Sequence, residues 1–269
     1  MISQDLEAIR SNLRQALPKS ADENELKKTA KRVIENYAYY LVDLFYTGKL
    51  TKDFIQGNVE IQGLAYLDDA LLKNRGVVLA SAHVGHWEMG GMTLSKIGYP
   101  IHAIAIKHQD PRIEEIFEKR RRQNGLRIIH LGVSIRECYR ILRENKILAL
   151  NADRLFSGDG LPVNFMNKRV YFPEGISRFS LFTGAAVIPV FFIMKHPGRY
   201  LLDIQKPLEE SRPRVSTRGT SLEAEDSLVA SRPESLTQAF AARLEAEIKR
   251  YPDQWFIFEP FWKPPQWPL

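Results

Sequence analysis

The sequence has little cysteine and no long apolar run. Its one cysteine, Cys138, cannot form an internal disulfide, and it excludes a zinc site built from several cysteines. The longest apolar run, Ala185 to Met194, is shorter than the about 20 residues of a membrane-spanning helix. The N-terminal residues also lack the apolar core of a signal peptide. We therefore expect an intracellular protein whose membrane contacts are peripheral.

The composition that is present is typical of a soluble globular protein. Of the 269 residues, 44% are hydrophobic and 26% are charged, which argues against disorder and collagen-like repeats. No repeat or second core is visible, so we predict a single domain over residues 1–269. The formal net charge of +6 is compatible with anionic lipid, phosphorylated substrates, an acidic carrier protein or nucleic acid. Charge alone does not choose between these partners.

From Val59 onward, short apolar runs alternate with helical stretches. The runs predict strands at 59–64, 76–82, 101–106, 126–131, 146–152 and 185–194. Helices are predicted near 68–74, 87–97, 111–124, 134–144 and 174–184, with a final one at 235–251. This alternation predicts an α/β fold with a mixed central sheet flanked by helices.

Two further segments stand apart from this alternation. Residues 24–46 repeat apolar side chains with a helical period and predict a long amphipathic helix near the N-terminus. We favour a role for this helix in covering the core over a position on a bilayer surface. Residues 208–234 are rich in Ser, Arg, Glu and Pro, and they predict an exposed, mobile insertion.

The segment SAHVGHWEMGG follows a predicted strand directly and contains His83, His86 and Glu88. Such a turn lies beyond the carboxyl edge of the sheet, where α/β proteins place reactive groups. If His83 precedes the helix and Gly85 allows a bend, Glu88 can fold back towards the imidazole. An imidazole beside a carboxylate can take a proton from an alcohol or amine that attacks a carbonyl, which suits acyl transfer.

Two other interpretations of this segment stay open. His83, His86 and Glu88 could bind a metal ion, although their spacing is not an established zinc spacing and cysteine ligands are absent. They could equally be structural residues at the start of a helix. The spacing alone does not separate catalysis from the structural role.

Two later clusters could also contribute to a site. Asp153 and Arg154 follow a predicted strand, so the acid could orient His83 and the guanidinium could neutralise a phosphate. A loop held by an Asp–Arg pair is the alternative. In FPEGISR, Glu174, Gly175 and Arg178 lie at a predicted helix start, where free backbone N–H groups and a guanidinium could hold an anion. Ordinary helices begin in the same way.

The basic run Lys119 to Arg122 ends a predicted helix. Positive charge is favourable at a helix C-terminus, so a solvated face is its default interpretation.

Taken in order, these blocks resemble the lysophospholipid acyltransferase superfamily, and specifically its lipid A biosynthesis branch of lauroyl and myristoyl transferases. GVVLASAHVGHWEMGG resembles the H-x4-(D/E) block of that branch, and RRRQNGLRII resembles its Arg-x3-Gly segment. NADRLFSGDGLPVNFMNKRV resembles its acidic–Arg block, and YPDQWFIFEPFW resembles its terminal signature. The resemblance runs from about Val33 to Lys263 and implies a glycerolipid acyltransferase-like fold.

The resemblance also implies roles for individual residues. His83 would be the general base, Glu88 its motif partner, and Asp153 a second carboxylate on the imidazole. The residues implied to contact anionic parts of the substrates, including those of the phosphate-gripping FPEG block, are Arg121, Arg154, Glu174, Gly175 and Arg178. In that block Ile176 replaces the threonine of glycerophosphate-type acyltransferases.

The function expected from these features is transfer of a fatty acyl chain from an acyl carrier protein or coenzyme A thioester. The acceptor would be a hydroxyl or amine of a lipid or glycolipid, lipid A-like or phospholipid-like. We expect no metal, no cofactor beyond the thioester and no nucleic acid, and a peripheral position on the cytoplasmic face of the inner membrane. The rival functions are a catalytically silent lipid- or carrier-binding protein and a metal-dependent hydrolase using His83, His86 and Glu88.

Overall fold

The computed structural model describes residues 2–132, 135–155, 160–208 and 223–262. Its helices are α1 (Ile2–Ala16), α2 (Glu23–Tyr46), α3 (Lys52–Asn58), α4 (Leu64–Leu71), α5 (Trp87–Lys96), α6 (Pro111–Gln123), α7 (Ile135–Arg143), α8 (Gly175–Thr183) and α9 (Glu223–Arg250). Its strands are β1 (Val59–Gln62), β2 (Val77–Ser81), β3 (Ile101–Ala105), β4 (Arg127–His130), β5 (Ile147–Asn151), β6 (Gly160–Phe165), β7 (Lys168–Pro173), β8 (Ala186–His196) and β9 (Arg199–Ile204).

Seven strands form the central sheet, in the order β1-β9-β8-β2-β5-β3-β4. Neighbouring strands are parallel except β8 and β9, which are antiparallel. This confirms the predicted α/β fold with a mixed sheet and flanking helices. The six strands predicted from apolar runs are all present, because strands buried on both faces of a sheet read as nearly continuous apolar segments.

The central strand β2 shows how the two faces of the sheet are covered. Val78 and Ala80 belong to the core formed with α7, α8 and α9. Val77 and Leu79 point to the opposite side and pack in the core formed with α4 and α5. Because successive side chains of a strand alternate between faces, this one strand contributes to both helical layers.

The register of β2 and β5 determines where the sheet's functional edge lies. The two strands pair in parallel from Val77 opposite Ile147 to Ser81 opposite Asn151. Residues at equal distance beyond this last pair therefore emerge side by side at the carboxyl edge. The turn after β2 passes close to β8, where a Cβ on Gly85 would lie 2.2 Å from the carbonyl oxygen of Phe192. Gly85 also has a φ of 64°, so a residue without a side chain is required there.

A separate hairpin of β6 and β7 was not predicted from the sequence. The strands are antiparallel and are joined at Met166 and Asn167, whose φ angles are 50° and 61°. Two-residue hairpin turns with positive φ are usually marked by Asn-Gly or Asp-Gly. The turn residues Met166 and Asn167 do not form such a pair, so the hairpin could not be predicted from the sequence. The strand β9 and the helices α1 and α3 were also not predicted.

The predicted helix over 24–46 is confirmed as α2, whose N-cap Asp22 accepts a hydrogen bond from the backbone of Glu25 at 2.7 Å. A turn of about 100° per residue separates two faces of this helix. The inward face is buried and includes Leu26, Ala30, Val33 and Leu44. From Ile34 onward, the outward face exposes large apolar side chains, namely Ile34, Tyr39, Val42, Phe45 and Tyr46.

Among the described residues, none of the helices combines the length and apolar character needed to cross a bilayer. The predicted insertion at 208–234 falls mainly on 209–222, which lie outside the described residues. Residues 223–234 of that stretch belong to α9, which begins at Glu223.

Candidate active site

The carboxyl ends of β2 and β5 bring His83 and Asp153 together. Nδ1 of His83 lies 2.9 Å from Oδ1 of Asp153, and the backbone N–H of His83 donates to Oδ2 at 2.9 Å. Asp153 is buried, whereas 16% of the His83 side chain is exposed. The carboxylate therefore holds the imidazole from the protein side and leaves part of the ring open.

The negative charge of Asp153 is stabilised by His83, the residue to which its carboxylate is hydrogen-bonded. Burial alone would raise the pKa of this carboxyl, but the charge and the two hydrogen bonds of His83 outweigh it, with a contribution from Arg154. The net effect lowers the pKa of Asp153 below its ordinary value. An ionised carboxylate at Nδ1 favours the tautomer with the proton on Nδ1, so the lone pair lies on Nε2.

Glu88 has a different partner from the one that we expected. Nε of Arg121 donates to Oε2 of Glu88 at 2.9 Å, and Nη2 of Arg121 donates to Oε1. The expectation that Glu88 is the carboxylate folded back onto the imidazole is wrong, because Asp153 occupies Nδ1 and both oxygens of Glu88 bind the guanidinium. Glu88 lies in the first turn of α5 and faces α6, which carries Arg121.

Arg121 also departs from its default interpretation as part of a solvated face. Only 4% of its side chain is exposed, and its buried charge is balanced by the carboxylate of Glu88. Burial would lower the pKa of the guanidinium, but Glu88 reverses this effect and raises it. A buried guanidinium bound through two hydrogen bonds is a rigid element of the site.

A cavity of about 900 Å³ opens beside His83. Its walls are largely apolar and include Leu79, Leu94, Leu126, Ile129, Phe179, Val190 and Phe192. The predicted site residues that line it are His83, Glu88, Arg121, Arg154, Glu174 and Gly175. Asp153 is buried behind His83 and does not line the cavity. Arg178 does not line it either, as far as the described residues show. The sequence clusters thus converge on one apolar chamber with a few polar groups.

The remaining charged candidates form ion pairs with acidic side chains. Nη2 of Arg154 donates to Oε1 of Glu259, in the C-terminal tail. Nε of Arg178 lies 2.7 Å from Oε1 of Glu174, one helical turn away. The guanidinium of Arg178, which was expected to bind an anionic part of a substrate at the start of α8, is therefore paired with the carboxylate of Glu174.

His86 is a structural residue in this arrangement. Its side chain is fully buried, and its Nδ1 lies 3.0 Å from Oδ2 of Asp43 on α2. The same oxygen accepts a hydrogen bond from the hydroxyl of Tyr200 at 2.7 Å. Within the described residues, His83, His86 and Glu88 do not form a set of ligand atoms around one point, so the geometry does not support the metal-dependent hydrolase.

Trp87 is a site residue that sequence reasoning missed. Its ring lies edge-on to His83 with the ring centres 5.0 Å apart, and it stacks on Tyr40 of α2 at 4.5 Å. Its place directly after His86 in the motif was the available signal. These aromatic contacts connect helix α2, through Tyr40 and Trp87, to the ring of His83.

Comparisons with known proteins show which family the chain resembles. Residues 1–264 match the family model described as bacterial lipid A biosynthesis acyltransferase. A phosphatidylinositol mannoside acyltransferase of Mycolicibacterium smegmatis is 25% identical over 233 residues, which cover 85% of this chain and 70% of that protein. Proteins of the same description from two Mycobacterium tuberculosis strains are 24% identical over 235 residues, covering 85% of this chain and 68% of theirs.

Proposed function

Since the chain belongs to the bacterial lipid A biosynthesis acyltransferase family and is an acyltransferase, we propose that it moves a fatty acyl group from a thioester to a lipid or glycolipid. The donor is an acyl carrier protein or coenzyme A thioester, and the acceptor supplies a hydroxyl or amine. The observation that carries this proposal is the His83–Asp153 pair on the wall of an apolar cavity.

His83 acts as the general base in the proposed reaction. Asp153 holds the proton on Nδ1, and Nε2 takes the proton of the acceptor as its oxygen or nitrogen attacks the thioester carbonyl. Collapse of the tetrahedral intermediate breaks the carbon–sulfur bond, and the departing thiolate takes up the proton from the imidazolium. A positioned base of this kind contributes about 10²–10⁴-fold to the rate. No covalent acyl-enzyme is needed.

The cavity suits the acyl chain. Its volume of about 900 Å³ lies within the about 300–1,000 Å³ typical of ligand sites. Leu94, Leu126 and Phe192 supply apolar walls. His83 and Arg154 supply polar groups, the first for proton transfer and the second for contact with the headgroup of the acceptor. An apolar wall with few polar groups favours a long hydrocarbon chain over a polar substrate.

The relatives support a glycolipid acceptor. They are phosphatidylinositol mannoside acyltransferases, and the family is that of lipid A biosynthesis. Both descriptions concern acylation of a sugar-containing lipid. We therefore propose an acceptor with a sugar or phosphate headgroup, lipid A-like or phospholipid-like, whose anionic parts lie near Lys107, Arg121 and Arg154 on the cavity wall.

The outward face of α2 supports contact with a membrane surface. From Ile34 onward it exposes the apolar side chains named above, and the turns before Ile34 carry Lys27, Lys28, Lys31 and Arg32 on the same exposed side. A basic residue near anionic lipid contributes about 1 kcal/mol. The adjoining helix α6 exposes Ile113 and Ile116. We propose that this surface lies on the cytoplasmic face of the inner membrane.

A transfer assay tests the proposed function. The purified chain is incubated with acyl carrier protein and coenzyme A thioesters and an extract of membrane lipids, and products are identified by mass spectrometry. We expect a lipid whose mass rises by one acyl group with wild type and not with His83→Ala. Acyl-chain binding without turnover in the wild-type protein would instead favour the catalytically silent lipid-binding protein.

A further inference from the structure

A second cluster of ionisable side chains lies on α6 and β4, apart from His83 and Asp153. Glu114 and Glu118 are one turn apart on α6, and His130 ends β4. One ligand atom from each of the three residues lies within 4.8 Å of the other two. Residues four positions apart share a helix face, so both carboxylates are directed towards the imidazole.

Two buried polar atoms in this cluster lack hydrogen-bond partners among the described residues. They are Oε1 of Glu114 and Nδ1 of His130. Glu114 is only 7% exposed, and the two atoms lie 4.0 Å apart, which is too long for a hydrogen bond. A buried carboxylate oxygen without a hydrogen-bond donor lowers the stability of the fold. Since Oε1 of Glu114 faces Nδ1 of His130, which also lacks a partner in the described part of the chain, the geometry points to a bound group that contacts both atoms.

His108 holds the other oxygen of Glu114. Its backbone N–H and its Nδ1 lie 2.8 Å and 2.7 Å from Oε2. The carboxylate is thus oriented, as metal-binding carboxylates are when an outer residue hydrogen-bonds to them.

We propose that Glu114, Glu118 and His130 bind Zn²⁺ or a similar divalent ion of the first transition row, with His108 as a positioning residue. Two carboxylates balance the charge of the ion, and the imidazole favours these metals over Mg²⁺ and Ca²⁺. Ligands on one ion lie at most about 4.2 Å apart, twice the bond length, so small side-chain rotations close the site.

The site has a defined place beside the cavity. His108 and His130 contribute to its wall. Glu118 lies on the outer side and contacts Nε2 of His130 at 3.2 Å, a contact that it would exchange for the ion on the Nδ1 side. An ion here would join α6 to β4 and to the loop that precedes α6. Its role is to brace this wall, and the acyl-transfer chemistry at His83 does not require it.

Metal titration of the full-length protein tests the proposal. After treatment with a chelator and dialysis, the protein is equilibrated with Zn²⁺, and bound zinc is measured by atomic emission. We expect one tightly bound equivalent in wild type and at least about tenfold weaker binding in Glu118→Gln and His130→Ala. The matched controls are Glu115→Gln on the exposed side of α6 and His196→Ala on an exposed strand end.

Circular dichroism and thermal unfolding without metal confirm that each variant is folded before zinc is added. The proposal is overturned if the folded wild type binds no tight equivalent, or if the controls lose as much affinity as the ligand variants. Tighter binding of Mg²⁺ than of Zn²⁺ would also overturn it. A rise in melting temperature with Zn²⁺ in wild type and controls, absent in both ligand variants, would support it independently.

Discussion

Two histidines of one motif have similar partners and different surroundings. Nδ1 of His83 makes a hydrogen bond to Asp153 at 2.9 Å. Nδ1 of His86 lies 3.0 Å from Asp43, in an orientation that gives it no hydrogen bond among the described residues. His83 borders the cavity, whereas His86 is fully buried between α2 and the sheet. A histidine paired with a carboxylate is therefore not by itself a catalytic feature. Access of the second ring nitrogen to a substrate is what distinguishes a general base from a structural residue.

The largest effect is expected from His83→Ala. Removal of the base should lower turnover by about 10²–10⁴-fold, because the acceptor would attack without proton transfer to Nε2. Steady-state rates per folded molecule with an acyl thioester would measure the loss. Thermal unfolding should show a folded variant with a lower melting temperature, because the buried Asp153 loses its imidazole. Near-normal turnover in this variant would contradict the assignment of His83.

Asp153→Asn should follow with a loss of at least about a hundredfold in turnover. The amide can donate to Nδ1 and so stabilise the unproductive tautomer.

The lowered pKa of Asp153 also means that its ionisation stabilises the wild-type fold above about pH 4 and that this contribution is lost at lower pH. Urea unfolding across that range should show a weaker acid dependence in the variant. An unchanged rate would mean that another residue orients the imidazole.

His86→Ala should affect stability rather than chemistry. The substitution removes a fully buried ring and leaves Asp43 without its imidazole, which costs about 2–4 kcal/mol. Urea unfolding should show the loss, while turnover per folded molecule should largely remain. A collapse of turnover in a folded protein of wild-type stability would remove the distinction between the two histidines.

A fourth prediction contrasts Asp153 with Glu247, a second buried carboxylate. Burial and the neighbouring Asp203 raise the pKa of Glu247 to about 7, although Arg250 opposes them. The folded state then binds more protons than the unfolded state between the ordinary pKa of 4.5 and about 7, so stability falls as pH rises through this range.

Glu247→Gln should therefore stabilise the protein above pH 7. We expect a gain of about 2 kcal/mol, which allows for partial solvent screening, and the gain should shrink as pH falls towards 4.5. Denaturant titrations at several pH values provide the measurement. A gain that is the same at every pH would show that the glutamate is not titrating in this range.

Much of this fold follows from local pattern. The buried parallel strands are apolar throughout, and the residues directly after them, His83 and Asp153, could be placed at one sheet edge. The pairing of Glu88 with Arg121 could not be predicted, because it depends on how α6 packs against the start of α5. The proposed zinc site could not be predicted for the same reason, since its ligands come from a helix face and a strand end that meet only in the folded chain.

The parallel register of β2 and β5 has a consequence for how this family can vary. His83 and Asp153 are 70 residues apart in the chain, yet each comes two positions after the last paired residues, Ser81 and Asn151. The backbone ladder sets their separation, so loops and helices between them can lengthen or shorten without moving the reacting pair. Conversely, one residue inserted within either strand would part the histidine from its carboxylate even if every side chain of the motif were kept.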